Sequence, residues 1–283
     1  MDGAVVQRQY VDSRFGQSHL YRAGPVRESG RLPLVCFHMS PHSGIYFQDL
    51  LAEMGADRVA VAIDTPGFGN SDAPPTRPTI ADYAASMGDV VEALGIGALD
   101  VLGDHTGSKV ALEFARQRPA QVRRVILLSL GMWTDEESAH GAAEQPREIH
   151  ADGRTPVLWW TRAVRMSMKG RSIDRMARNF HVTQLHHRTS HWGHVAAAGY
   201  PARDALAEVD KPIMILNPED DLYRITPRAG DYLTHPESHI RDLPGWGPGF
   251  LEVKTLEVAA MIRQFLDGID SPAGARRDAP RRS

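Results

Sequence analysis

Leu99-Asp-Val-Leu-Gly103-Asp104-His105-Thr106-Gly107 reads as a strand running into a tight turn, and Ser108 to Gln117 as a helix halted by Pro119. Gly103 and Gly107 flank the turn, and a sharp strand–turn–helix needs such residues where backbones approach closely. Two similar strand-then-loop units lie upstream. Residues 32–37 (LPLVCF) form a short apolar run suited to a strand buried on both faces, followed by His38-Met39-Ser40-Pro41. Residues 58–63 (RVAVAI) form another, followed by the turn-rich Asp64-Thr-Pro-Gly67-Phe-Gly69-Asn-Ser-Asp72. Between them Ile45 to Met54 reads as a helix with Phe47, Leu50, Leu51 and Met54 on one side. Thr79-Ile-Ala-Asp82 has the form of a capping box. It opens a helix with Ile80, Tyr83, Met87, Val90, Val91 and Leu94 at helical spacing, which stops at Gly95. Val122 to Leu130 is a further buried strand. Strands thus alternate with helices from residue 32 to 130, which predicts an α/β fold with a doubly wound, mostly parallel sheet.

Further out the pattern changes. Residues 4–11 alternate like a strand, and residues 18–23 can pair with them across a Gly-bearing turn. Residues 131–200 carry no strong strand signal; they are rich in Met, His, Trp and Arg, with helical stretches such as 155–180. Strand and helix then resume: Pro212 to Leu216, a helix near 226–233, a strand near 238–243, and a helix from Glu252 to Leu266 with Val253, Leu256, Ala259 (or Ala260), Ile262 and Phe265 inward. The expected organisation is an α/β core in two parts, 1–130 and 201–269, interrupted by a helical cap insertion at 131–200, with 270–283 a disordered Pro/Arg/Ala-rich tail. The insertion is expected over the carboxyl edge of the sheet, where open α/β folds bind ligands.

Composition narrows the function classes. The 283 residues are 42% hydrophobic and 24% charged with a formal net charge of −3, enough chain for one large core and without the basic bias that phosphate binding leaves. A single cysteine, Cys36, rules out a disulfide framework and a cysteine zinc cluster. No window approaches 18 consecutive apolar residues, and residues 1–20 lack the apolar core of a signal peptide. The expectation is a soluble cytoplasmic protein, monomer or homodimer, acting on a small molecule, with no nucleic-acid or membrane partner. Neither G-x-x-x-x-G-K-[ST] nor G-x-G-x-x-G after a strand is present, so neither ATP nor NAD is implied, and no cofactor is expected.

In the order and spacing of these three loops the chain resembles the α/β-hydrolase superfamily, over roughly residues 4–266. His38-Met39-Ser40-Pro41 is similar to the oxyanion loop of that family, Pro66-Gly-Phe-Gly-Asn-Ser71 to its Pro-Gly-x-Gly-x-Ser loop, and Gly103-Asp-His-Thr-Gly107 to its nucleophile elbow, Gly-x-Ser-x-Gly. The resemblance implies the fold; it does not fix a reaction. Two departures bear on chemistry. The elbow carries His105 where the family has Ser, Cys or Asp. The last loop, Leu243-Pro-Gly-Trp246-Gly-Pro248-Gly249-Phe250, lacks the family's base histidine, whose place falls on Pro248 or Gly249. The acid position is retained: Asn217-Pro-Glu-Asp220-Asp221 resembles the family's turn, with Asp220 the first choice and Asp221 the second. Asp135 and Glu136 lie near a variant acid position but suit a charged hinge equally.

An acyl-enzyme mechanism needs a nucleophile, a base within hydrogen-bond reach and an orienting group. An imidazole reaches farther from its Cα than a hydroxymethyl group, so His105 is expected to point into the space at position 248, toward Asp220. The expected catalytic set is a relocated dyad, His105 as general base with Asp220 or Asp221 fixing its tautomer. The amides of Ser40 and Thr106 would form an oxyanion site, and His38, His194, Trp133 and Trp246 join the substrate-binding set. The alternatives are a structural histidine at 105, helix-capping roles for Asp220 and Asp221, a purely backbone-bonding role for His38, and a displaced serine nucleophile among Ser40 and Ser43.

Thirteen histidines are present, five of them between His181 and His194. His187, His191 and His194 fall at i, i+4 and i+7, a spacing that can hold zinc, but no carboxylate occupies the position such helical motifs use. No metal is expected, and His194 and Tyr200 are the best placed to line a pocket. Trp133, Trp159, Trp160, Met166, Met168, Met176 and Trp192 either wall an apolar pocket or form the interior of the insertion. The first functional expectation is a cofactor-free lyase, isomerase, cyclase or decarboxylase acting on a small hydrophobic or aromatic carbonyl compound through His105. The second is hydrolysis of an ester, lactone, amide or C–C bond by His-activated water. The third is a non-catalytic ligand-binding relative.

Overall fold

The computed structural model describes residues 3–24, 30–146 and 148–267. Among these, eight strands form one sheet in the order β1-β2-β4-β3-β5-β6-β7-β8. They are β1 (Gln7–Ser13), β2 (Gly16–Ala23), β3 (Leu34–Phe37), β4 (Ala60–Ile63), β5 (Leu99–Asp104), β6 (Val122–Leu128), β7 (Ile213–Pro218) and β8 (His239–Leu243). β1 and β2 form an antiparallel hairpin, β2 meets β4 antiparallel, and every later pair is parallel. The apolar runs account for the centre: all residues of β3, β4, β5 and β7 are buried, as strands covered on both faces require.

Helices cover both faces. On one lie α2 (Ile80–Ala93), α3 (Thr106–Gln117) and α8 (Ala202–Glu208), packing Tyr83, Val90, Phe114 and Leu206 against the sheet. On the other, α1 (Gln48–Met54) and the C-terminal α10 (Thr255–Leu266) contribute Leu50, Leu51, Ile262 and Phe265. Thr79 and Asp82 form a reciprocal capping box that starts α2, and Gly95, with φ of 65°, ends its turn. Strand β3 has β4 on one side and β5 on the other. The chain direction across the sheet reverses there, which opens a crevice beyond the carboxyl ends of β3 and β5.

Between β6 and α8 the described residues form no strand. They form α4 (Asp135–Ala142), α5 (Arg154–Met166), α6 (Ile173–Gln184) and α7 (Trp192–Ala198). The helix expected over 155–180 is therefore two helices, because Gly170 adopts φ of 95° and breaks the run. The C-terminal helix is also interrupted: α9 (Phe250–Val253) ends at Lys254, where φ is −119°, and α10 starts afresh. Leu256, expected inward, is 67% exposed: on α10 it stands beyond the edge of the face that carries Val258, Ala259, Ile262 and Phe265, because a spacing of three drifts around a 3.6-residue helix. The segments expected as helices at 226–233 and at the start of 45–54 are 3₁₀ turns, Thr226–Tyr232 and Gly44–Phe47. The tail expected at 270–283 lies outside the described residues. No helix of the described residues is long and apolar enough to cross a membrane.

Candidate active site

His105 sits between β5 and α3 with φ of 51° and ψ of −109°, a region that β-carbon-bearing residues avoid. Such strain costs of order 1–3 kcal/mol and persists only where surroundings enforce it. The neighbours that enforce it are visible. A Cβ on Gly103 would lie 2.1 Å from the Gly107 carbonyl oxygen, and one on Gly107 would lie 2.0 Å from that of Phe37. Ser108 Oγ donates to the carbonyls of Gly103 and Leu128, each at 3.0 Å, and His105 N–H donates to Leu128 O at 2.9 Å. The turn is thus locked between β3, β5 and β6, and its apex projects the His105 side chain over the carboxyl edge of the sheet.

The ring meets the turn after β7. His105 Nε2 lies 2.9 Å from Asp220 Oδ2 and 3.9 Å from Asp221 Oδ1. Asp220 is the closer partner and its side chain is only 8% exposed, whereas that of Asp221 is 73% exposed. Asp220 is itself held: its Oδ1 accepts from Leu222 N–H at 2.8 Å, and Ser129 Oγ donates to Oδ2. Ser129 follows β6 directly and, like His105, has a positive φ, 53°. With Nε2–H directed at Asp220, Nδ1 is the ring nitrogen left for other work, and it bonds no protein group among the described residues.

The electrostatics are uneven. Burial disfavours the charged ring, but the Asp220 hydrogen bond and the charges of Asp104, Asp220 and Asp221 outweigh it and push His105 up to about 9. Burial raises the Asp220 carboxyl, yet the His105 bond and charge, the Ser129 hydroxyl and the Leu222 amide hold it below its ordinary value. Asp104, behind the ring, is pushed up to about 7 by burial, against the charge of His105; Tyr46 is a hydrogen-bond partner of its carboxyl.

The remaining expected residues divide by position. Thr106 is the first residue of α3, so its amide has no intrahelical acceptor. Ser40, 8% exposed, lies in the loop after β3 with a cis bond to Pro41. Helix α7 presses on this loop, since a Cβ on Gly193 would fall 1.9 Å from Ser40 Oγ. His194, on α7, spans the crevice: Nε2 donates to Ser40 O at 3.0 Å and Nδ1 pairs with Glu144 at 3.0 Å. A cavity of about 240 Å³ is bounded by His105, Thr106, Lys109, Trp133, Glu144 and His194. A second of about 450 Å³ shares Glu144, His194 and Asp221 with it and is walled by Trp159, Met166 and Met176.

Several expectations are corrected. His38 is fully engaged by backbone, donating from Nδ1 to Met39 O and accepting from Thr65 N–H at Nε2, each at 2.9 Å, so no ring nitrogen is left for a ligand. Trp246 lines neither cavity; it packs on the core beside Phe250, with the Lys254 ammonium 5.6 Å from its ring. Trp160 meets Phe180 edge to face, while Met168 and Trp192 also stay out of the two cavities. Tyr200 bonds Glu113 and lines a separate cavity. Asp135 points to solvent near Arg203, far from the role of an acid. His187 lies in the turns between α6 and α7, so the three histidines expected on one helical face share no helix. Among the described residues, the cluster with ligand atoms close enough for a metal is instead His105, Asp220 and Asp221, all within 4.8 Å of one another. Its shortest spacing is the direct His105–Asp220 hydrogen bond, which the cluster needs no ion to explain.

Sequence reasoning missed Ser129, Glu144 and Lys109. Ser129 ends the VRRVILL run at the variant acid position, and Lys109 stands four residues after His105 on α3, the same helical face. Those two spacings were the available signals. The turn after β4 also has a purely architectural use: buried Asp64 bonds His19 Nδ1 at 2.8 Å, Gly44 N–H and Asn70 N–H, bracing one loop against the other.

A sequence profile described as the α/β hydrolase fold matches residues 33–149. An uncharacterized protein of Mycobacterium tuberculosis is 31% identical over 119 residues, 42% of this chain and 35% of that protein. A 2-(acetamidomethylene)succinate hydrolase of Mesorhizobium japonicum is 27% identical over 114 residues, 40% of this chain and 41% of that protein. The chain thus spans well under half the length of these curated relatives. Among solved structures, a thermophilic esterase from Thermogutta terrifontis superposes with a TM-score of 0.73 at 18% identity, covering 94% of this chain and all of that one, 100%.

Proposed function

We propose that this chain, which has the α/β-hydrolase fold, is a cofactor-free enzyme in which His105 serves as general base toward a small hydrophobic or aromatic carbonyl compound. The observation that carries this reading is the His105–Asp220 bond of 2.9 Å, made from an elbow whose strained backbone is retained although no hydroxyl, thiol or carboxylate nucleophile stands on it. Asp220 fixes the Nε2–H tautomer and leaves Nδ1 to take a proton at the cavity wall. The amides of Thr106 and Ser40 supply donors for the negative charge that develops on the carbonyl oxygen as a C–H or C–C bond breaks. Trp133, Trp159 and Met166 supply apolar walls. A base with a value near 9 is a strong one, suited to weakly acidic carbon, and it works in the fraction of molecules whose ring is neutral.

Hydrolysis is the second reading, favoured by the names of the Mesorhizobium and Thermogutta proteins. Here the His105 Nδ1 would deprotonate a water molecule, which attacks an ester, lactone or amide carbonyl. Reaction in ¹⁸O water separates the two: label in the product carboxylate supports hydrolysis, and its absence with deuterium uptake from D₂O supports proton transfer at carbon. Full activity of His105→Ala on the true substrate would end both readings.

A further inference from the structure

Lys109 is 2% exposed and has no carboxylate partner among the described residues. Lysine is rarely buried without a counter-ion, because moving an unpaired ammonium out of water is costly. The chain spends little to satisfy it: Nζ donates one hydrogen bond, to Ala197 O at 2.8 Å, and stands 3.9 Å from the centroid of the Trp133 ring. Desolvation holds the amine down to about 7, so much of it is the neutral, nucleophilic form near neutral pH. It lies one helical turn beyond His105, and both side chains border the same 240 Å³ cavity.

We propose that Lys109 is a covalent-catalysis residue that forms an iminium with an aldehyde or ketone substrate, whose α-proton His105 then removes. The inference rests on the reading of His105 as base. The Nζ lone pair forms a bond to the carbonyl carbon while the C=O π electrons move to oxygen, which takes up a proton. The resulting carbinolamine expels water and becomes C=N⁺. The α C–H electrons then flow into that bond to give an enamine, and the proton goes to His105 Nδ1. Reprotonation at carbon and addition of one water return the carbonyl compound and the free amine, so no oxidant or reductant is consumed. The amine thus supplies an electron sink, and the imidazole the proton transfer it needs.

The test uses the full chain and phenylacetaldehyde, an aromatic aldehyde with α-protons. Cyanoborohydride trapping followed by peptide mapping is expected to place the adduct on Lys109 in preference to exposed Lys169 or to Lys211 and Lys254. Deuterium exchange at the α-carbon in D₂O is expected to be catalysed by the wild type and to fall equally in Lys109→Met and Lys109→Arg, since a guanidinium keeps the charge but forms no iminium. Adducts on Lys169 with none on Lys109 overturn the proposal, as does undiminished exchange in Lys109→Arg. The base reading fails separately: if Lys109 is trapped and exchange survives His105→Gln, the lysine stands and the imidazole does not. Exchange that needs His105 without any Lys109 adduct removes the lysine alone.

Discussion

Ser129 donates its hydroxyl to Asp220 Oδ2, the same carboxylate oxygen that meets His105 Nε2. Two donors on one oxygen, with Leu222 N–H on the other, leave the carboxylate no freedom to turn away from the ring. Ser129→Ala removes a hydrogen bond to a charged group, an interaction worth about 1.5–3 kcal/mol. On the proposed mechanism kcat/KM is expected to fall by roughly tenfold to a hundredfold, with KM little changed. Ser129→Thr keeps the hydroxyl and should recover part of the loss. An equal fall in a variant whose melting temperature has collapsed would trace the effect to folding, so calorimetry accompanies the kinetics.

His105 also sets a pH dependence with opposite signs for activity and stability. The groups facing it are Asp104, Asp220 and Asp221, with Lys109, Glu144 and His194 around the shared cavity. As a base it works neutral, so kcat/KM is expected to rise with pH and level off near 9. Its folded value exceeds the ordinary 6.5, so the stability it contributes is complete below 6.5 and disappears as pH climbs through about 9. Asp104 acts in the same direction lower down: its carboxyl is raised from 3.8 to about 7, so folding is most favoured below 3.8 and loses that contribution as pH passes 7. Lys109 opposes both: its amine is lowered from 10.5 to about 7, so its contribution grows as pH rises from 7 toward 10.5. Urea unfolding of Lys109→Met between pH 6 and 10, read beside the wild-type kinetic profile, should therefore show stability falling while activity rises. Asp220→Asn should bring the His105 titration, followed by NMR, down toward its ordinary value.

The sheet and the elbow were legible because they follow from local signals: uninterrupted apolar runs for β3 and β4, and paired glycines around residue 105. The approach of His105 to Asp220 was legible from side-chain reach once the fold was assumed. What escaped depends on geometry over long separations. Ser129 and Asp220 are 91 positions apart, and nothing in the VRRVILLSL run shows that a serine with positive φ ends it. Trp246, expected in the substrate-binding set, packs instead beside Phe250 and Lys254, since the direction of a side chain within a loop is fixed by what packs beside it. Leu256 stands three residues before Ala259 on α10, and a spacing of three drifts off the buried face of a 3.6-residue helix, so the expected apolar stripe carries it round to solvent.

Restoring a hydroxyl at the elbow should not restore a serine hydrolase. In His105→Ser the side chain is shorter, so the contact that His105 makes to Asp220 at 2.9 Å is lost, and Pro248 offers no proton acceptor in the last loop. Without a base the hydroxyl stays protonated and weakly nucleophilic. A fluorophosphonate probe is therefore expected to label neither the wild type nor His105→Ser above background, as judged by intact-protein mass. Stoichiometric labelling of the variant would mean that another base, such as His194, reaches position 105.

The elbow glycines give a stability contrast that is independent of any substrate. Gly107→Ala places a methyl group 2.0 Å from the Phe37 carbonyl oxygen, a backbone atom of the central strand that cannot rotate aside. Relief requires β3 and α3 to separate, and overpacking of this kind costs about 1–3 kcal/mol or more. Gly97→Ala meets nothing within 4 Å and has no positive φ, so it should stay within about 0.5 kcal/mol of the wild type. Chemical denaturation of the two variants measures the difference. The same displacement would carry His105 away from Asp220, so Gly107→Ala should also lower the His105 titration point toward the ordinary range while Gly97→Ala leaves it near 9. A Gly107→Ala protein as stable as Gly97→Ala would show that the elbow is not wedged against β3.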